Sequence, residues 1–257
     1  MIDHSVHYAI LGDGRLGRHL RQYLTLLGQR CSGWSRNLAS PFNTHHDTDA
    51  ETRLRRTIAP ASHVLLLVTD DAISGLVRRY PVLHRHRLVH CAGAVRLPGI
   101  AGAHPLMTFA DRLYTLEQYR RIPFLVESGY CFDHLFPGLP NPHHTVPVGQ
   151  KALYHALCVA AGNFPQILWQ AVAERFAGEL DIPAAALEPY LRQSLENWLA
   201  DPAGALTGPL ARGDAQTVSG NLAALDGDAL RELYAAFVAF HRPANGVRPW
   251  PWRERAS

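Results

Sequence analysis

Short apolar runs alternate with stretches of helical period through the first half of the chain, the pattern of βαβ units. The first run, Tyr8 to Leu11, leads into a turn with Gly12, Gly14 and Gly17, then into Leu16, Leu20, Tyr23, Leu24 and Leu27 at helical spacing. The segment RCSGWSR predicts a second strand ending near Trp34. SHVLLLVTDD, residues 62–71, is continuously apolar and suits a strand buried on both faces of a parallel sheet. Thr69, Asp70 and Asp71 stand at its end, and a helix through Ile73, Leu76 and Val77 follows. HRLVHCAG (86–93) and IPFLVESG (122–129) predict further strands, and Ala50 to Ile58 a short helix.

Near residue 140 the character changes. FPGLPNPHHTVPVG is rich in proline and glycine, which suggests a boundary or connector, and beyond it the pattern predicts helices and no strand. Residues 149–178 form one long helical pattern that Pro165 should kink or interrupt, and further helices fit 184–200, 214–225 and 228–241. The tail RPANGVRPWPWRERAS reads as irregular, with Trp250 and Trp252 packed on the body or presented to a partner. The expected architecture is a doubly wound parallel α/β sheet over residues 1–145, followed by an all-helical domain over 146–257.

Composition narrows the function. With 257 residues, 47% of them hydrophobic, the chain can build a substantial core. A formal charge of +3, with scattered arginines and no basic tail, does not indicate nucleic acid. No run approaches the apolar length needed to span a bilayer, and the first residues lack the pattern of a secretory leader, so a cytoplasmic location is expected. Cys31, Cys91, Cys131 and Cys158 are dispersed without a CxxC pair, so reduced thiols are expected. Fifteen histidines include adjacent pairs, but no HExxH or comparable ligand spacing supports a metal site.

Of the 25 basic residues, 24 are arginines and one is lysine, Lys151. Arginine keeps its proton near neutral pH, whereas burial can bring a lysine into the range of proton exchange. Lys151 is therefore a candidate for proton chemistry.

The glycine turn lies between a strand and a helix, the context in which GxGxxG binds a dinucleotide. Gly12 would make the turn, Gly14 would admit a pyrophosphate and Gly17 would let helix and strand pack closely. Gly12, Gly14, Arg15, Leu16 and Gly17 form the first part of the expected cofactor site, with Thr69 and Asp70 at the end of a later strand. An NAD site usually places an acid about 20 residues beyond the turn, but no acid occurs from Arg18 to His46. Instead the second strand ends in Ser35 and Arg36, a hydroxyl and a guanidinium suited to a 2′-phosphate. The expected cofactor of this Rossmann-like unit is NADP. Trp34 could stack on adenine or close an edge of the fold.

Lys151 and His155, four residues apart, share one face of a predicted helix, with Cys158 and Gly162 near the same stripe. Facing a cleft, either could donate the proton that accompanies hydride transfer to a C=O or C=N carbon. Asn163 lies about 120° round that helix and is a candidate substrate contact. In ALTGPLARGDAQTV, Asp214 is placed to cap a helix, leaving Thr207 and Arg212 as candidates to orient an anionic substrate or a neighbouring subunit. Cys91, at a strand end, lacks an evident base beside it.

The runs GDGRLG, WSR, VTDDAI, VHCAGA, HPLMTF, KALYHALCVAAGN and LTGPLARGD together resemble bacterial Rossmann-like proteins with a C-terminal DUF2520 domain. These are NADP-dependent oxidoreductases related in fold to pyrroline-carboxylate reductases and β-hydroxyacid dehydrogenases. The resemblance implies an all-helical second domain that commonly forms a homodimer, and it supplies no substrate. The related β-hydroxyacid dehydrogenases carry Asn four residues after the lysine, where this sequence has His155. Ala92 stands where a serine is expected, and Pro165 interrupts a helix usually left intact. Two functions follow as expectations: reduction of a small carbonyl or imine compound, with Lys151 as proton donor, or NADP(H) binding without catalysis by a sensor or partner-binding module.

Overall fold

The computed structural model describes residues 6–241, so the expected aromatic tail lies outside the described residues. The described chain separates into two compact units, meeting between Phe164 and Pro165.

The first unit carries a seven-stranded sheet of order β2-β1-β3-β4-β5-β6-β7. Its strands are β1 (His7–Leu11), β2 (Arg30–Trp34), β3 (His63–Leu66), β4 (Arg87–His90), β5 (Ala101–Pro105), β6 (Phe124–Glu127) and β7 (His143–Val146). The first five run parallel; β6 pairs antiparallel with β5, and β7 runs parallel to β6. Alternation along the strands divides the core between two faces. Tyr8, Ile10 and Leu65 pack with α1 (Arg15–Leu26), α4 (Leu116–Arg120) and α5 (Phe132–Leu135). Ala9, Leu11, Val64 and Leu66 pack with α2 (Ala50–Ile58) and α3 (Asp70–Arg79). Helices therefore cover both faces, as the doubly wound expectation requires.

Two strands went unpredicted. AGAHP, which forms β5, offers no large apolar side chain, and HHTV, which forms β7, exposes its first three residues at the sheet edge. β7 lies within the FPGLPNPHHTVPVG connector, and beyond it the described residues form helices and no strand, as expected. Trp34 is buried, donates its indole N–H to the Ala50 carbonyl at 3.1 Å and meets Tyr80 edge to face, which gives it a core role.

α6 (Lys151–Glu179) runs unbroken through Pro165, so of the expected kink or interruption the interruption does not occur. Proline removes one backbone donor, and the carbonyl this frees, on Ala161, belongs to an exposed residue that water can reach. One lost bond in 29 residues does not end the helix. Contacts assign residues 146–164 to the first unit, where the expected boundary lay at 145.

The second unit contains the remainder of α6, then α7 (Glu188–Ala200), α8 (Gly208–Arg212), α9 (Ala215–Ala224) and α10 (Ala229–His241). Arg175 grips Asp228 through two 2.5 Å bonds, and Asp214 caps α9 as expected, accepting from the Thr217 amide. Among the described residues no helix is long and apolar enough to cross a membrane.

Candidate functional site

The glycine turn occupies the carboxyl end of β1, where the sheet order reverses between β2 and β3. In an open α/β sheet this is the place for a ligand crevice. Gly12 has φ +122°, and a Cβ there would stand 2.4 Å from the Leu67 carbonyl oxygen. At Gly17 a Cβ would stand 2.1 Å from the Gly12 carbonyl oxygen, so glycine is what lets α1 rest on the turn. A Cβ at Gly14 would meet nothing within 4 Å. Gly14 is the N-cap of α1, no side chain caps that end, and the first turn holds no acid. Free amides, a favourable helix dipole and open space beside Gly14 together fit a pyrophosphate. Arg15 is exposed and bound to Asp111, which also pairs with Arg18, while Leu16 packs against the core.

The loop after β2 is tied to this turn through Asp13. Burial favours the protonated form of its carboxyl, but hydrogen bonds from Ser40, at 2.7 Å, and Ser35 outweigh it and hold the pKa below the usual carboxylate value. Ser35 is buried and accepts from the Asn37 amide. Arg36 is exposed, and among the described residues its guanidinium has no ion-pair or hydrogen-bond partner. Thr69 is the N-cap of α3 and bonds the Asp71 carboxylate, with Asp70 exposed in the first turn.

A second cluster lies further along the sheet. The register aligns Leu11, Leu66, His90 and Gly102 on neighbouring strands, and continuing it brings Glu127 opposite Gly102 and Val146 beside Glu127. Over that row sits Lys151, only 3% exposed, donating to Glu127 Oε1 and to the Val95 carbonyl, both at 2.5 Å. His90 Nδ1 accepts from the Ala92 amide at 3.3 Å, which places the proton of a neutral ring on Nε2. Nε2 lies 3.7 Å from Glu127 Oε1, too far for a hydrogen bond, and is otherwise unpartnered. Burial and then the Lys151 charge lower the His90 pKa to about 4.

His155 lies against the loop after β4: a Cβ on Gly93 would stand 2.1 Å from its ring. Its ring centre is 5.9 Å from that of His104, whose Nδ1 is 2.7 Å from the Tyr154 hydroxyl. Burial, then the charges of His155 and Lys151, bring the His104 pKa down to about 4. Burial pushes the Cys91 thiol up to about 12, which removes it as a nucleophile near neutral pH.

Thus Lys151 and His155 both join the first unit's sheet, one buried and the other partly exposed. Asn163 is exposed on α6; Thr207 and Arg212 are exposed at the two ends of α8, in the second unit. Sequence reasoning missed Glu127, His90, His104 and Tyr154. The available signal was Glu127 itself, an acid closing the apolar run FLVE, since a buried lysine calls for a counter-charge.

No curated protein matches the chain. Among solved structures, one from Bacteroides fragilis named "putative NADP oxidoreductase BF3122" is 20% identical, covering 92% of this chain and 97% of that one, with a TM-score of 0.70. Protein TM1727 from Thermotoga maritima is 23% identical over 91% and 96% of the two chains, TM-score 0.62. An imine reductase from Myxococcus stipitatus in complex with NADP+ is 16% identical over 92% and 93%, TM-score 0.57. These likenesses establish the Rossmann-like fold with a helical C-terminal region. Residues 130–239 match the family described as Domain of unknown function (DUF2520), the family its motifs resembled.

Proposed function

We propose that this chain is an NADP(H)-dependent oxidoreductase acting on a small carbonyl or imine compound. The observation that carries this reading is the uncapped N-terminus of α1 beside the open space at Gly14, adjoining a loop that presents an exposed Arg36. Gly12, Gly14, Arg15, Leu16 and Gly17 would hold the pyrophosphate, Ser35 and Arg36 the 2′-phosphate, and Thr69 and Asp70 the nicotinamide side. The similarity to structures named for NADP supports the assignment. When bound, the cofactor supplies hydride.

The chain's own part is the proton. Lys151 holds one on a nitrogen committed to Glu127 and Val95, so delivery to a substrate requires it to exchange one of those bonds. His155 is the partly exposed member of the pair and assists at the surface of the site. Asn163, Thr207 and Arg212 are the proposed substrate contacts. A homodimer accords with the second unit, where Leu187, Val218 and Val238 are the only buried large apolar side chains among the described residues, whereas Tyr190, Trp198 and Phe240 are exposed.

One observation favours a second reading, an NADP(H)-binding sensor without catalysis: the lone lysine is sequestered in an ion pair. The two separate in a single experiment that follows NADPH absorbance with a panel of small ketones and cyclic imines. Turnover lost in Lys151→Arg and reduced in His155→Asn, with NADPH binding intact, supports the reductase. Tight NADPH binding with no turnover across the panel supports the sensor.

A further inference from the structure

Arg53, on α2, is 1% exposed, and among the described residues its guanidinium touches no carboxylate. One terminal nitrogen donates to the carbonyls of Asp47 (2.7 Å) and Thr48 (3.1 Å), and the other to those of Ser35 (3.3 Å) and Arg36 (3.2 Å). Its Nε has no hydrogen-bond partner. The acids nearby are bonded by other groups, Asp47 by Arg56 and Asp49 by the Thr52 amide, although the Arg53 charge also favours the ionised form of Asp49. Burying an arginine without a counter-ion in contact is unfavourable, so its position requires a compensating role.

The loop it holds suggests that role. Asn43 donates to the carbonyls of Asn37 (2.8 Å) and Leu38 (3.3 Å) and accepts from the Ser35 amide at 2.7 Å. Arg53 and Asn43 between them engage four consecutive carbonyls, Ser35 to Leu38. Those acceptor oxygens are thereby committed to protein donors, and a permanent positive charge lies against the backbone of the exposed Arg36.

We propose that Arg53 is a positioning residue that makes the Ser35–Arg36 loop selective for a ribose 2′-phosphate, by committing the loop's carbonyls to protein donors and adding buried positive charge beside the Arg36 backbone. The proposal rests on the NADP(H) reading above, and its test needs no substrate. NADPH and NADH are titrated by fluorescence into the wild type, Arg53→Met and Arg53→Lys, with circular dichroism reporting the fold. The expected result is a loss of about tenfold or more in NADPH affinity for Arg53→Met, with NADH affinity changed by less than about threefold. Arg53→Lys, which retains the charge but not the planar fork, should recover part of that ratio; if Arg53→Met does not fold, the lysine variant alone must show a reduced ratio. An unchanged ratio in the folded variants, or equal losses for both dinucleotides, overturns the proposal by reducing Arg53 to a structural residue. A wild type that favours NADH or binds neither overturns the cofactor reading itself, and the role of Arg53 with it.

Discussion

Gly102 and Glu127 meet across the antiparallel β5–β6 pair, and the carboxylate of one fills the space where the other lacks a side chain. A Cβ on Gly102 would stand 2.3 Å from Glu127 Oε1 and 2.8 Å from Lys151 Nζ. The glycine is what allows a charged pair to be buried at the sheet. Gly102→Ala should therefore destabilise the fold by about 1–3 kcal/mol through overpacking, read as a lower urea midpoint. An unchanged midpoint would show that the pair does not depend on that space.

Lys151→Met removes one member of the buried pair and strands the Glu127 charge. The expected cost is about 3–5 kcal/mol, with much of it recovered in Lys151→Met/Glu127→Gln, because the second change removes the uncompensated charge. Denaturant unfolding of the four proteins in this cycle measures the coupling. Strictly additive effects would mean that the two groups do not act as a pair.

His90 gives the fold a definite pH dependence. Its folded pKa is lowered to about 4, below the ordinary 6.5, by burial and then by Lys151. Between these values the unfolded chain binds the proton and the folded chain does not. His90's contribution to stability is therefore complete above pH 6.5 and lost as pH falls toward about 4, at about 1.4 kcal/mol per pH unit. His7, His63 and His104 are shifted in the same direction, so the comparison is made against His90→Gln. The variant should show a shallower decline of urea midpoint below pH 6.5; parallel profiles would contradict the assignment.

The turn glycines separate folding from binding. Gly17→Ala brings a Cβ against the Gly12 carbonyl and should cost about 1–3 kcal/mol of stability. Gly14→Ala enters open space at a helix cap and should cost less than about 1 kcal/mol, while weakening NADPH binding by about tenfold or more because the methyl group occupies the approach of the pyrophosphate. Thermal melts and NADPH titration of the two variants read both quantities. A Gly14→Ala variant that binds as the wild type does would remove the turn from the site.

What the sequence disclosed follows the range of the interactions involved. β1 and β3 were legible because burial on both faces leaves continuous apolar runs, and the turn glycines because their spacing is a local requirement. β5 was not, since its row is built around Gly102 and takes its apolar cover from other elements. No interruption occurs at Pro165, because a local steric rule yields to a long helix with an exposed Ala161. Lys151 stood out by rarity, but Glu127 lies 24 positions earlier and meets it only through the sheet register. Arg53 resembles any cation on an amphipathic helix until the carbonyls of the β2 loop are seen around it.

The central claim is that the crevice beside Gly14 and Arg36 accepts a 2′-phosphorylated dinucleotide. Parallel titrations of the wild type and Arg36→Ala with NADPH and NADH test it most directly. The account predicts that the wild type binds NADPH at least about tenfold more tightly than NADH, and that the alanine variant loses most of that difference. Equal affinity of the wild type for both dinucleotides, or a preference that survives in Arg36→Ala, would contradict it.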